Sequence, residues 1–361
     1  MKILIIAPTP FFADRGCHMR ILEEARALRK LGHEITITTY HHGRNVDNLD
    51  IRRSLNIPWY NKLDGGPSYH LFYLDFLLIL KTLKIALLGK YDLIYAHLVE
   101  GGLIGWITKI FIRKKLILDC QDSIIKEIEA FNFAKKNGLF YKFMWFLEKL
   151  SYKKADLIVT STYGMKKFLE ENNIKKEIKV LEDGVNPDFF NPEAKKAKLD
   201  LPKNKKIVVY LGGLQKHKGI DYLLKAISYT SDKFHFLIMG YPEVERCKKL
   251  AEDLKISDRV TFTGKIKYEE APSYLALGDI AVSPKTLEST EANAKLYNYM
   301  GMGLPIVCFD TKENRKILGK KGVFAKEKDS KDLAKKIEKV KIGEIRYKLV
   351  NCWNKMGDII I

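Results

Sequence analysis

IVVYLGGLQKHKGIDYLLKAI, residues 207–227, reads as one strand, one turn and one helix. Residues 207–211 are apolar without alternation, which fits a strand covered on both faces. Gly212 and Gly213 end it, and Ile220, Leu223, Leu224 and Ile227 then recur at helical spacing. A doubly covered strand feeding a helix is half of a βαβ unit, the element of a parallel sheet. Glycines let the backbone approach a ligand, a helix N-terminus favours an anion, and Lys218 adds a full charge suited to a diphosphate. The same residues also make an ordinary strand-to-helix turn with a solvated lysine, and this stretch alone does not separate the two.

Working outward, strands at 235–240, 259–263, 280–283 and 305–309 alternate with helices. A polar, lysine-rich stretch at 191–206 precedes the series. Before it an earlier series runs: a strand at 3–8, a helix from about His18 to Leu31, then strands at 34–39, 93–96, 115–119 and 157–160. The pattern predicts an α/β chain of two doubly wound, Rossmann-like domains facing a cleft. Residues 1–190 form the first, joined by a C-terminal helix at 345–361, and residues 191–344 form the second. Ligands of such sheets bind beyond the carboxyl ends of the strands, so the cleft is the expected site.

Composition limits the function. At 46% hydrophobic and 30% charged residues, the chain is of the globular class, and 361 residues suffice for two cores. The apolar run 3–7 ends at Pro8, too short for a secretory signal. In 71–88 Asp75, Lys81 and Lys84 interrupt the apolar stretch, whereas a spanning helix needs about 20 nearly unbroken residues. Five scattered cysteines without CxxC spacing point to neither disulfides nor zinc, and to a reducing cytoplasm. The net charge of +19 attracts anions, or is a solvated lysine habit with no partner behind it. No nucleic-acid-binding module accompanies it, and no GxGxxG of a nicotinamide enzyme follows the first strand.

A second segment carries chemistry: SPKTLESTEANAKLYNYMGMGLPIV, residues 283–307. Glu288, Glu291, Asn293, Lys295 and Asn298 lead into a helix that stops at GMGLP. Carboxylates there suit sugar hydroxyls, and amides at a helix N-terminus suit phosphate. Capping by Ser289, Thr290 and Glu291 explains only part of the set.

These segments resemble the family 4 retaining glycosyltransferases of the GT-B fold. GGLQKHKGIDYLLKAI (212–227) is similar to the family's glycine-rich, lysine-glycine loop, and EANAKLYNYMGMGLPIV (291–307) to its acidic loop and following helix. Further matches follow in order: RGCHMRILEEARALRKLGHEITITTY (15–40), YDLIYAHLVEGG (91–102), LILDCQDS (116–123), ADLIVTSTYGMKKFL (155–169), VLEDGVNPDFFNP (180–192), DRVTFTG (258–264) and NCWNKMGD (351–358).

The resemblance implies metal-independent, retaining transfer of a hexosyl group from a nucleotide-diphosphate sugar, without a cofactor. The acceptor would be a glycan or lipid-linked molecule of cell-envelope or glycoconjugate synthesis. It implies a donor-binding second domain and an acceptor-side first domain. Lys218 matches the lysine that neutralises the donor diphosphate, with Glu291 and His97 as the other catalytic positions. Gly16, Gly212, Gly213, Gly240, Gly264, Glu291, Asn293, Lys295 and Asn298 match donor-binding positions, and Arg15, His18, Gln121 and Asp122 acceptor-side ones.

The chain departs from the family twice. Gly213 replaces an arginine, for which Lys216, His217, Lys285 or Lys295 are the candidate substitutes, and Asn298 replaces the second acid of the usual pair. Those departures keep a rival open, a non-catalytic GT-B scaffold partnering an active transferase. A GT-B epimerase of nucleotide sugars fits the motif series less well. The helix at 71–90 and the aromatic and basic segment 135–154 suit either an anionic membrane surface or a core helix with a solvated lysine face. The expected place is cytoplasmic, peripheral on the inner face of the cell membrane.

Overall fold

A computed structural model describes all residues except 64–65, 287–291, 344, 346, 348–351 and 361. The chain divides into two compact units. The first comprises Met1–Asp183 with Cys352–Ile361, and the second is built on Gly184–Glu288 and Asn293–Asn351.

In the first unit the strands are β1 (Lys2–Ala7), β2 (Glu34–Thr39), β3 (Asp50–Arg53), β4 (Leu93–His97), β5 (Lys115–Cys120), β6 (Leu157–Thr160) and β7 (Ile178–Val180). The helices are α1 (Gly16–Lys30), α2 (His70–Leu88), α3 (Leu98–Ile112), α4 (Ile124–Ala130), α5 (Leu139–Lys154) and α6 (Tyr163–Glu171). The sheet order is β3-β2-β1-β4-β5-β6-β7, and every described pairing is parallel. Ile3, Leu4, Ile5 and Ile6 of β1 are all wholly buried, because helices cover both faces. Each such side chain contributes roughly 1.5–3 kcal/mol over its exposed state. In α1, Ile21, Leu22, Ala25 and Leu28 form the core-facing stripe, and Arg29 and Lys30 in the last turn suit the helix dipole.

The second unit has β8 (Lys206–Leu211), β9 (Phe234–Met239), β10 (Val260–Gly264), β11 (Ile280–Ser283), β12 (Ile306–Phe309) and β13 (Val323–Ala325). Its helices are α7 (Ile220–Ile227), α8 (Val244–Asp253), α9 (Ala271–Leu275), α10 (Lys295–Gly301), α11 (Lys312–Leu318) and α12 (Ser330–Lys339). The order β10-β9-β8-β11-β12-β13 repeats that of the first six strands of the other sheet, again parallel throughout. Each unit has its own apolar core, so the two doubly wound domains read from the sequence are present. A short α13 (Gly357–Ile360) follows the turn Cys352–Met356.

Candidate functional site

In the second unit the strand order reverses between β8 and β11, the point where doubly wound sheets open a crevice at the strands' carboxyl ends. Gly212, Gly240 and Gly264 stand at the ends of the neighbouring strands β8, β9 and β10. The Gly212 N–H donates to Met239 O and the Gly240 N–H to Gly264 O, each at 3.0 Å. A Cβ on Gly240 would overlap the Gly212 carbonyl oxygen, so only glycine permits this approach. We expect Gly240→Ala to cost the second unit about 2 kcal/mol, as overpacking of this kind does. Urea unfolding measures it, and an unchanged midpoint would show that the loops are not held this close.

The turn Lys216–Lys218 follows, and Gly219 (φ 83°) starts α7 against the Pro284 carbonyl, just after β11. That contact pins the Lys218 turn to the neighbouring strand end across the reversal. Lys218 and His217 are half-buried and Lys216 is exposed. Lys295, the first residue of α10, brings its Nζ to 3.3 Å from the Tyr210 hydroxyl and 4.5 Å from its ring centroid, beside Gly212. The same Tyr210 hydroxyl donates to Gly213 O at 2.6 Å. Of the substitutes weighed for the missing arginine, Lys295 therefore reaches the loop from another element; Lys285 is buried just after β11.

Two amides of the expected donor set are buried. Asn293 is buried and donates to Ser283 Oγ (3.1 Å) and Asn314 Oδ1 (2.9 Å), tying β11 to α11; its side chain is committed within the unit, not presented to a donor. Asn298 is buried on α10. Glu288 and Glu291 lie outside the described residues.

In the first unit the sheet reverses between β1 and β4, and the sequence reading underestimated what lies there. Arg20 of α1, 4% exposed, sends Nε and Nη2 to Asp119 at the end of β5, both at 2.9 Å. Its Nη1 donates to Leu181 O (2.9 Å) and Asp183 Oδ1 (2.8 Å), and Nη2 lies 3.0 Å from Glu24 Oε1. Burial lowers and the carboxylates raise the Arg20 pKa, with a net rise. Burial opposes the Asp119 charge, but Arg20 and His97 together hold its carboxyl well below the usual range. One guanidinium cannot neutralise three carboxylates. Burial pushes the Glu24 carboxyl well above the usual range, against the pull of Arg20.

His97 is wholly buried, with Nδ1 3.1 Å from Asp119 Oδ2 and Nε2 3.7 Å from Glu24 Oε2; burial lowers its pKa. The neutral ring donates Nδ1–H to Asp119, an assignment made from these partners. His97, expected at a catalytic position, is enclosed by this network, and its Nε2 makes no hydrogen bond among the described residues. His18 is buried too, its Nδ1 accepting the Ala13 N–H at 2.8 Å between Phe11 and Phe12, so it braces the loop after β1. Gln121 is likewise buried and donates Nε2–H to Asp119 Oδ2 (3.1 Å). Arg15 and Asp122 are half-buried, and Gly16 is exposed with open space where a Cβ would stand. α1 has no side-chain N-cap and no acid in its first turn.

Glu24, His97 and Asp119 offer ligand atoms within 4.8 Å of one another. A divalent ion does not fit them, since both Asp119 oxygens bind Arg20 and its charge already sits by Glu24. Sequence reasoning missed Arg20, Glu24, Asp119 and Asp183. The available signal was a pair of opposite charges at i, i+4 beside the apolar stripe of α1.

Residues 15–189 match the family described as Glycosyltransferase Family 4, and residues 191–355 match Glycosyl transferases group 1. The chain belongs to glycosyltransferase family 4. It is 28% identical over 64% of its length to an uncharacterized glycosyltransferase of Methanocaldococcus jannaschii, covering 60% of that protein. Over 34% of each chain it is 30% identical to the GDP-mannose-dependent alpha-(1-6)-phosphatidylinositol monomannoside mannosyltransferase of Mycobacterium tuberculosis. The matched part spans less than two thirds of either relative. The structure of sucrose-phosphate synthase from Thermosynechococcus elongatus superposes with a TM-score of 0.78 at 18% identity, covering 94% of this chain and 89% of that one, and shares the GT-B fold. Family membership fits both the glycine-lined strand ends and the two lysines at the Gly212–Gly213 loop.

Proposed function

We propose that the chain is a retaining glycosyltransferase that moves a hexosyl group from a nucleotide-diphosphate sugar to a glycan or lipid-linked acceptor. The supporting observation is the reversal point of the second sheet. Three strand ends closed by glycines, the pinned Lys218 turn and the Lys295 ammonium there suit an anion that must approach the backbone closely. Glu291 and Asn298 are assigned to the donor sugar and ribose, and Lys218 with Lys295 to the diphosphate. Gly16, exposed at the start of α1, is kept as the donor-side candidate of the first unit. Arg15 and Asp122 are the acceptor-side candidates, with Gln121 setting the loop.

The anomeric carbon–oxygen bond to the diphosphate breaks as the acceptor oxygen bonds the same face, and the leaving phosphate takes the acceptor proton. Charge growing on that phosphate is stabilised by Lys218 more than the ground state is. This account needs neither a metal nor a cofactor. A glycosylated side chain trapped during turnover would end the front-face route.

The test is nucleotide release from UDP-, GDP- and ADP-sugars, with and without a lipid extract. Release from one donor supports the enzyme and names its base. Neither release nor nucleotide binding by calorimetry makes the chain the scaffold that Gly213 and Asn298 leave open.

The acceptor side is read as meeting an anionic membrane from the cytoplasm. Among the described residues no helix is long and apolar enough to cross a membrane. However, α2 exposes Phe72, Phe76 and Leu80 four residues apart, and α5 exposes Leu139, Phe143 and Phe146 among lysines. Phe143→Asp with Phe146→Asp is expected to release the chain from vesicles holding anionic lipid. Co-sedimentation unaffected by that pair, or absent at every salt concentration for the parent chain, would refute the surface.

A further inference from the structure

The chain passes out of the first unit after Asp183 and returns at Cys352. Both passages border on the same side chain. Arg20 Nη1 holds Leu181 O and Asp183 Oδ1 on the outgoing segment. The indole of Trp353, 5% exposed on the returning segment, lies with its ring centroid 5.6 Å from the Arg20 guanidinium carbon. The remaining Arg20 nitrogens hold Asp119, which also takes the Gln121 amide on the loop after β5. A buried guanidinium tolerates no unmet donor, and its planar fork fixes direction as well as distance, so the groups around it cannot move independently.

We propose that Arg20 is a positioning residue that fastens three segments as one body: the loop after β5, the outgoing residues 181–183 and the returning turn at 353. The acceptor-side role of the loop rests on the function proposed above; the fastening itself does not. Lysine cannot replace Arg20, because a single nitrogen can satisfy Asp119 or the outgoing segment but not both, and a compact ammonium does not reproduce the planar fork.

Amide hydrogen exchange on the full chain, read by mass spectrometry, tests this. In Arg20→Lys, exchange at 181–183 and at 352–356 is expected to quicken together by about tenfold or more, with β1 and β4 unchanged. A general loss of stability would quicken β1 and β4 as well, and that result overturns the proposal, as does quickening at one passage only. If Arg20→Lys does not fold, Asp183→Asn and Trp353→Leu keep the arginine and serve instead. Each is expected to quicken both passages, and a response confined to the substituted segment overturns the proposal. Because exchange needs no substrate, its outcome stands apart from the donor-release test of the transferase reading.

Discussion

Replacing Lys218 by alanine is expected to slow sugar transfer about 10²- to 10³-fold, the usual cost of losing one preorganised contact to developing charge. The half-buried Lys218 ends a turn whose next residue, Gly219, is wedged against the Pro284 carbonyl. The ammonium is therefore carried by backbone that does not need to rearrange during the reaction, and its effect should fall on kcat more than on donor KM. Lys295→Ala is the informative comparison. Its Nζ already rests on the Tyr210 ring and hydroxyl, so it acts on bound and reacting diphosphate alike, and donor KM should rise while kcat changes less. Steady-state kinetics on the active nucleotide sugar decide both. Wild-type kcat in Lys218→Ala would place the diphosphate elsewhere.

Glu148→Gln is expected to remove a large part of the first unit's loss of stability between pH 5 and pH 9. Glu148 of α5 is buried, accepting the Tyr152 hydroxyl at 2.5 Å and the Ile125 N–H at 3.1 Å. Burial pushes its carboxyl from 4.5 up to about 7, against the hydrogen bonds and with a smaller upward push from Asp122. The folded chain therefore holds this proton more tightly than the unfolded one. The associated stability is full below about pH 4.5 and is lost as pH rises through 7, a change of about 3 kcal/mol. Glutamine never ionises and keeps one of the two accepting oxygens, so the variant starts less stable at pH 5 and is judged by its slope with pH alone. Urea unfolding at pH 5 and pH 9 should show a shallower fall for the variant, and parallel curves would mean that Glu148 does not titrate as stated. Burial shifts Glu24 in the same direction.

The alternation of apolar strands and amphipathic helices was enough to read both sheets, because parallel strands buried on two faces leave unbroken apolar runs such as 3–7 and 236–239. The strands that escaped reading were β3, β7 and β13, with sequences DIRR, IKV and VFA. Each is a short edge strand, where one side of the ladder is open and burial no longer dictates composition. The glycine-lysine turn after β8 was legible as a strand-to-helix turn, and only the ordered series of family motifs marked it as a candidate phosphate site. What the sequence could not display was burial of charge. Arg20 and Glu24 look like a surface pair along α1, and His97 looks like a reactive strand-end histidine. Only the convergence of α1, β4, β5 and the segment after β7 turns them into an interior network. Conversely, Asn293 looked available and is spent on Ser283 and Asn314.

The turn at 352–356 packs against α1, Trp353 lies over Arg20, and Lys179 Nζ donates to the Asp358 carbonyl. During synthesis these residues leave the ribosome after the whole of the second unit, so the first unit waits, with Arg20 only partly enclosed, for a piece of itself that is translated after the second unit. Its assembly cannot be finished domain by domain in the order of translation. The N-terminal half expressed alone should therefore be the less soluble half.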